Sequence, residues 1–213
     1  MKPYKAAREI FYLSTLTFFL VACAGKPVHT EKPSHVEKVA MQEKNVEVYT
    51  GIKGAPDWVN KGSNFATVKE ARFIWGVSSA TPQGDLALQK ALADDNARDE
   101  VAREFAYYLD MLAKDHANSS RIAGSALNSD AVLHMLRLAA RESLGDTRII
   151  GSWREQKTNS IWSIAELDMK RVKLKMVESE EMSADLKRYI ETTADSIFDR
   201  IARDRNRESA IAE

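Results

Sequence analysis

The stretch that decides the fold reads RFIWGVSSA at residues 72–80, TPQG at 81–84 and DLALQKALADDNA at 85–97. The first part is β-branched and aromatic and ends in small residues before a turn with Pro and Gly, which predicts a strand. From about Asp85 onward, apolar residues recur at spacings of three and four, which predicts a long amphipathic helix. Because the first half of this apolar stripe is alanine, we expect the helix to lie close to a sheet there. The stripe consists of Leu86, Ala93, Ala97, Val101, Phe105, Tyr108 and Leu112.

A second helix is predicted after a loop of small residues over 118–128. Ser129 offers an N-cap, and the helix should cover residues 130–143. It is apolar on more than one face, so it is either buried or part of an interface with another copy, and we favour burial.

The rest of the chain predicts a β-hairpin and two more helices. The hairpin has strands at 147–156 and 160–167, which are rich in Ile and Trp. Residues 169–177 alternate as a strand would, but their apolar spacing also suits a helix, which we prefer. Ser183 then caps a final helix, and the polar chain from Asp204 onward should fray.

The predicted order is strand, long helix, helix, strand, strand, helix. This order predicts an α+β fold, with a small antiparallel or mixed sheet of about three strands covered by long helices.

The N-terminus has the pattern of a lipoprotein signal peptide. Basic residues precede an uncharged, apolar run over residues 10–22, which is shorter than the ~20 residues of a spanning helix. The run ends in LVAC at residues 20–23, which resembles the lipobox that precedes a lipid-accepting cysteine. Cys23 is the only cysteine, so no intramolecular disulfide is possible. The alternative is an ordinary signal peptide with a chance cysteine. Two or three acyl chains on Cys23 would anchor the protein stably.

These patterns divide the chain into four parts. Residues 1–22 are the lipoprotein signal peptide and 23–55 the lipidated cysteine and flexible linker, which is polar and contains two prolines. Residues 56–206 form the α+β domain, and 207–213 are a polar tail. Within the linker, VEVY at residues 46–49 is either a short strand or a binding segment.

The charge balance argues against a nucleic-acid partner. The chain has 31 basic and 31 acidic residues, and removal of residues 1–22 leaves 28 and 30. Binding to nucleic acid normally needs a clustered basic face.

Candidate catalytic and metal-binding residues are scattered, so we expect no catalytic residue, metal site or cofactor. The four histidines, His29, His35, His116 and His134, show no metal-site spacing. We expect His116 near a helix end and His134 partly buried. The acidic residues Asp94, Asp95, Asp99 and Glu100 should form a solvated helix face neutralised by Arg98 and Arg103. The four tryptophans, Trp58, Trp75, Trp153 and Trp162, are either core and hairpin residues, which we favour, or a ligand-stacking surface.

The chain resembles the LPP20 family of bacterial lipoproteins over roughly residues 56–200. The matching residues are PDWV at 56–59, GVSSA at 76–80, an Ala-rich helix with Ala97 and Arg98, and a hairpin with Trp153 and IWSIA at 161–165. Members of that family are non-enzymatic and include outer-membrane antigens and flagellar accessory lipoproteins. The resemblance implies a structural or assembly role and supplies no catalytic residues.

We therefore expect a lipid-anchored protein of the bacterial outer membrane whose domain faces the periplasm. Its partner would be a second copy or another periplasmic protein. The alternative is a module that binds a lipid or glycan through the tryptophans or the apolar second helix.

Replacement of the lipid-accepting thiol tests the anchor. Cys23→Ser should release a folded domain from the membrane fraction, because no lipid can be attached to serine by a thioether. Fractionation and immunoblotting measure the change. Sedimentation of the variant with membranes would mean that the lipid-anchor prediction is wrong or that a second anchor exists.

Overall fold

Four antiparallel strands form one sheet in the order β1–β2–β4–β3. The computed structural model describes residues 51–122 and 128–212. The elements are α1 (Asp57–Lys61), β1 (Asn64–Val68), β2 (Ala71–Ala80), α2 (Leu86–Ile122), α3 (Ser129–Ala140), a 3-10 helix (Ser143–Asp146), β3 (Arg148–Arg154), β4 (Ile161–Asp168), α4 (Met169–Glu178) and α5 (Ala184–Ala212). The predicted α+β class is confirmed, and so are β2, the hairpin and the helical state of α4. The signal peptide, Cys23 and the segment VEVY lie outside the described residues.

The predicted number of strands was wrong because β1 gives little sequence signal. Of its five residues only Phe65 is buried, so the period-2 pattern of apolar residues is missing. The turn to β2 contains no glycine, and Lys69 adopts a positive φ of 52° that its side chain ordinarily disfavours. Pairing with β2, from Asn64 opposite Trp75 to Val68 opposite Ala71, holds β1 in place.

Helix α2 lies directly on the sheet, as its alanine stripe predicted. Asp85 caps the helix, because its carboxylate accepts hydrogen bonds from the backbone N–H groups of Ala87 (2.7 Å) and Leu88 (3.2 Å). The closest approach is at Gly76, where a Cβ would lie 2.2 Å from the carbonyl oxygen of Ala97 and 2.6 Å from the nitrogen of Val101. A side chain at this position of β2 would therefore force strand and helix apart.

Both ends of α2 differ from the prediction. The helix continues to Ile122, so the first part of the predicted loop over 118–128 is helical. At the other end, Leu86 was assigned to the buried stripe but is 57% exposed. The first turn of the helix lies beside the ends of β3 and β4, where Leu86 lines an open groove instead of the core.

Helices α3, α4 and α5 complete the core on the side of the sheet that carries α2. Phe198 of α5 packs edge-on against Phe65 of β1 and Tyr108 of α2, with ring centroids 5.2 and 6.1 Å apart. Helix α3 buries Val132 and Leu136, so burial was the right choice for it. Its N-cap is Asn128 and not Ser129, because the Asn128 side chain accepts from the N–H of Asp130.

Helix α5 runs to Ala212 and includes the residues that were expected to fray after Asp204. Arg205 donates a hydrogen bond to Glu104 of α2 (3.1 Å), and its guanidinium lies 5.2 Å from the centre of the Tyr107 ring. A salt bridge combined with a cation–π contact holds this turn against α2, which a polar sequence alone does not reveal. Within the described residues, no helix combines the length and hydropathy that crossing a membrane requires.

The contact at Gly76 predicts a large and local loss of stability. Gly76→Ala should lower the free energy of unfolding by at least about 2 kcal/mol, because overpacking against backbone atoms cannot be relieved by a rotamer change. Urea denaturation measures the change. Gly145→Ala is the matched control, since nothing lies within 4 Å of its Cβ position. Equal stabilities of the two variants would contradict the close approach.

Candidate docking surface

The sheet has two unequal faces. One face packs on α2, and its residues on β4 include Ser163, Ala165 and Leu167, all buried. The opposite face is covered only by the five-residue helix α1 among the described elements. The register places all three strand tryptophans there, with Trp153 directly opposite Trp162 and Trp75 opposite Glu166. Trp58 of α1 lies over Gly151 on the same face, and all four tryptophans are half-buried.

A buried carboxylate organises this tryptophan face. The indole N–H of Trp75 donates to Oε2 of Glu166 (3.1 Å), and Arg148 donates to Oε1 of the same residue (2.8 Å). The indole nitrogen of Trp162 is also buried but has no acceptor among the described residues. The prediction that the tryptophans serve the hairpin is therefore consistent with the Trp153–Trp162 pair, although none of the four is fully buried.

Strand β3 forms one edge of the sheet and has no neighbouring strand on its outer side within the described residues. Its register with β4 shifts between Ile149 and Gly151, which marks a bulge, and Ile150 in the bulge is 47% exposed. An edge strand offers unpaired N–H and C=O groups to any extended chain that approaches it.

A groove lies between this edge and the first turns of α2. It encloses about 560 Å³ and is lined by Leu86, Ala87, Lys90, Ser152, Trp153, Arg154 and Ile161. Most of its wall is apolar. The exposed Leu86 forms part of that wall, so the side chain that was wrongly assigned to the core faces the groove.

Gln89 fixes the relative position of the groove walls. Its buried side-chain NH₂ group donates to the carbonyl oxygens of Ala80, at the end of β2, and Asn159, in the β3–β4 turn, both at 2.9 Å. The first turns of α2 are thereby held against the hairpin. No sequence pattern distinguished this glutamine from its exposed neighbours.

Two further leucines are exposed on the first turns of α2. Leu88 is 51% exposed and Leu92 is 36% exposed, and they lie one turn apart on the flank of α2 opposite the groove-lining Ala87 and Lys90. We define the docking surface as the groove, the outer edge of β3, and Leu88 with Leu92. Exposed apolar side chains grouped beside an apolar groove are typical of protein–protein contacts.

The charges around the groove are mostly neutralised, with one exception. Lys90 is paired with Asp94 (2.6 Å) and Arg148 with Glu166 (2.8 Å). Arg154 instead donates to the neutral side-chain oxygen of Asn159 (3.0 Å) and has no carboxylate within ion-pair distance in the described part of the chain.

The acidic residues of α2 are only in part the solvated face that was predicted. Arg98 pairs with Asp95 and Arg103 with Glu100, as expected. Asp94 is half-buried instead, because it also accepts a hydrogen bond from the hydroxyl of Ser163 in β4 (2.6 Å). No cluster of three potential metal ligands occurs in the residues that the structure describes.

Both described histidines differ from expectation. His134 was expected to be partly buried but is exposed on α3. His116 was expected near a helix end, but α2 continues past it and it is buried, with its ring 4.7 Å from that of Tyr189. Burial lowers the pKa of His116, and the nearby carboxylates of Asp115 and Asp185 oppose that shift more weakly.

A larger open cavity, of about 720 Å³, lies between the β1–β2 turn and α5. The guanidinium of Arg72 forms two hydrogen bonds with Asp199 in its wall (2.7 and 2.8 Å) and lowers the pKa of that carboxylate. The two charges neutralise each other, and the ion pair connects β2 to α5, so we assign it a structural role.

No protein-family model matches this sequence, and neither a curated protein nor a solved structure matches it. The resemblance to the LPP20 family therefore stays a prediction that depends on the residues quoted for it.

The environment of His116 predicts a pH dependence of stability. In the unfolded chain its imidazole takes up a proton near pH 6.5, whereas in the folded protein burial opposes protonation. The free energy of unfolding should therefore fall as the pH decreases from about 7 to 5.5. His116→Gln should make this part of the profile flatter, as measured by urea denaturation at several pH values. An unchanged slope in the variant would assign the effect to other groups.

Proposed function

We propose that this chain is a non-enzymatic, lipid-anchored protein of the bacterial envelope that acts as an assembly scaffold. The lipid on Cys23 would hold it at the outer membrane, and the α+β domain would face the periplasm. The domain would act by self-association or by docking a periplasmic protein. A flagellar setting agrees with the family that the sequence resembles.

The observation that carries this proposal is the docking surface. Leu86, Leu88 and Leu92 are exposed on the first turns of α2, beside an apolar groove, and Ile150 is exposed on the edge of β3, which has no neighbouring strand among the described residues. Burying a leucine side chain contributes about 1.5–3 kcal/mol, so leaving several exposed is costly unless a partner covers them.

The tryptophan face supports a second candidate, a module that binds a lipid or glycan. Half-buried aromatic rings and the unpartnered indole N–H of Trp162 offer stacking and one hydrogen bond to such a ligand. Native mass spectrometry after mild purification would reveal a co-purified ligand. An apo mass, with no thermal shift in the presence of envelope lipids and glycans, would exclude this candidate.

Charge introduced into the docking surface should abolish self-association. The variant Leu88→Lys/Leu92→Lys should weaken it at least tenfold, because the loss of about 1.4 kcal/mol of buried apolar contact already has that effect. Light scattering after size-exclusion chromatography of the full chain in detergent measures the mass. Leu174→Lys is the matched control, since Leu174 is equally exposed, at 53%, on α4.

Self-association that resists the double substitution would contradict the role of this surface. A parent chain that is strictly monomeric at high concentration would leave only docking to another periplasmic protein.

A further inference from the structure

We propose that the outer edge of β3 binds residues 46–49 (VEVY) of a second copy of this chain as a fifth strand. This inference rests on the proposed function, because it names the partner of the docking surface. Copies would then join head to tail, with each donating one segment and accepting another.

The site has the two parts that strand addition requires. The edge of β3 provides backbone hydrogen-bonding groups, and the groove beside it provides an apolar wall for alternate side chains of the added strand. Ile150 and Trp153 lie on the strand itself, so an added strand would also bury side chains on β3.

Charge argues against the simplest self-pairing, between two β3 strands. An antiparallel pair with full overlap would be centred on Gly151, which places Arg148 of each copy opposite Arg154 of the other. Like charges directly opposite each other destabilise a strand pair. A partner strand that carries an acidic residue is favoured instead, because Arg154 lacks a carboxylate partner in the described residues.

The segment at residues 46–49 has the required composition. Valine alternates with Glu47 and Tyr49, so an extended conformation would present two β-branched side chains on one face. Glu47 would supply a carboxylate for Arg154, which lines the groove, so Tyr49 would face the groove as well and the two valines would face the side of the sheet that carries the tryptophans. The charge of the segment therefore complements the free cation at the strand edge.

The position of this segment in the chain favours its binding to β3 of a second copy over binding to β3 of its own domain. The N–H of Ile52 donates to Asn60 of α1 (2.8 Å), and Gly51 turns the chain there with a φ of +78°. The described chain therefore begins beside α1, whereas the groove opens between β3 and α2. A segment that precedes Gly51 and pairs with the β3 edge of a second copy would make a heterologous, head-to-tail contact.

Leu88 and Leu92 provide a second argument for a second copy. They lie on the flank of α2 opposite the groove, so a strand of four residues in the groove would leave them exposed. A neighbouring copy that donates such a strand also brings a domain large enough to cover them.

Charge reversal tests the proposal on the full chain in detergent, with association measured by sedimentation velocity. Glu47→Arg and Arg154→Glu should each weaken association at least tenfold, because each places like charges together. A mixture of the two single variants should associate again, because every segment then meets an edge of opposite charge. Glu43→Arg is the matched control, with the same charge change three residues before the segment.

Three results would overturn the proposal. The first is association that is insensitive to both single variants. The second is association that is restored in the double variant Glu47→Arg/Arg154→Glu but not in the mixture of single variants, because that result would mean that the segment binds its own domain. If Arg154→Glu lowers the unfolding temperature, a deletion of residues 46–49 is tested in place of that variant. Association that persists after the deletion is the third result that would overturn the proposal. In each case the proposed function stands if Leu88→Lys/Leu92→Lys still abolishes association. The proposed function and this inference both fail if the parent chain neither associates nor binds a periplasmic protein.

Discussion

The contact between Gly76 of β2 and the backbone of α2 at Ala97 is the constraint on which the rest of the structure depends. It sets the distance of the 37-residue helix from the sheet, so the side chains on both surfaces must fit that spacing. Small residues occupy the contact, and larger ones such as Phe105 and Tyr108 fill the wider space beyond it, where α5 also packs. This gradient from small to large side chains defines one continuous core on one side of the sheet.

The same contact determines where the docking surface forms. Leu86 lies eleven residues before Ala97, or about 16 Å along the helix axis, so the start of α2 reaches the rim of the sheet. Gln89 then fixes that end to the β3–β4 hairpin by two hydrogen bonds. The groove therefore forms between the first turns of this long helix and the hairpin to which Gln89 fixes them.

Local patterns predicted the elements that bury a regular stripe. β2, α2, the hairpin and α5 were identified because apolar periodicity and turn residues agree in each of them. β1 was missed because only Phe65 is buried, and the length of α5 was underestimated because Arg205 acts through a contact with a distant part of the chain. The arrangement of the docking surface could not be predicted from the sequence. Leu86 has the spacing of a core residue, and only its position at the end of the helix exposes it.

A predicted lipid anchor would hold at the membrane a domain that exposes an apolar groove beside a strand edge. On our proposal, the edge of β3 is covered when the protein is assembled on the membrane. Hydrogen–deuterium exchange of the β3 amides, compared between the membrane-bound parent chain and the Leu88→Lys/Leu92→Lys variant, tests that claim most directly. We expect slow exchange in the parent and fast exchange in the variant at the outward-facing N–H groups of β3, with β2 equally protected in both. Equally fast exchange of β3 in the two proteins would contradict the account.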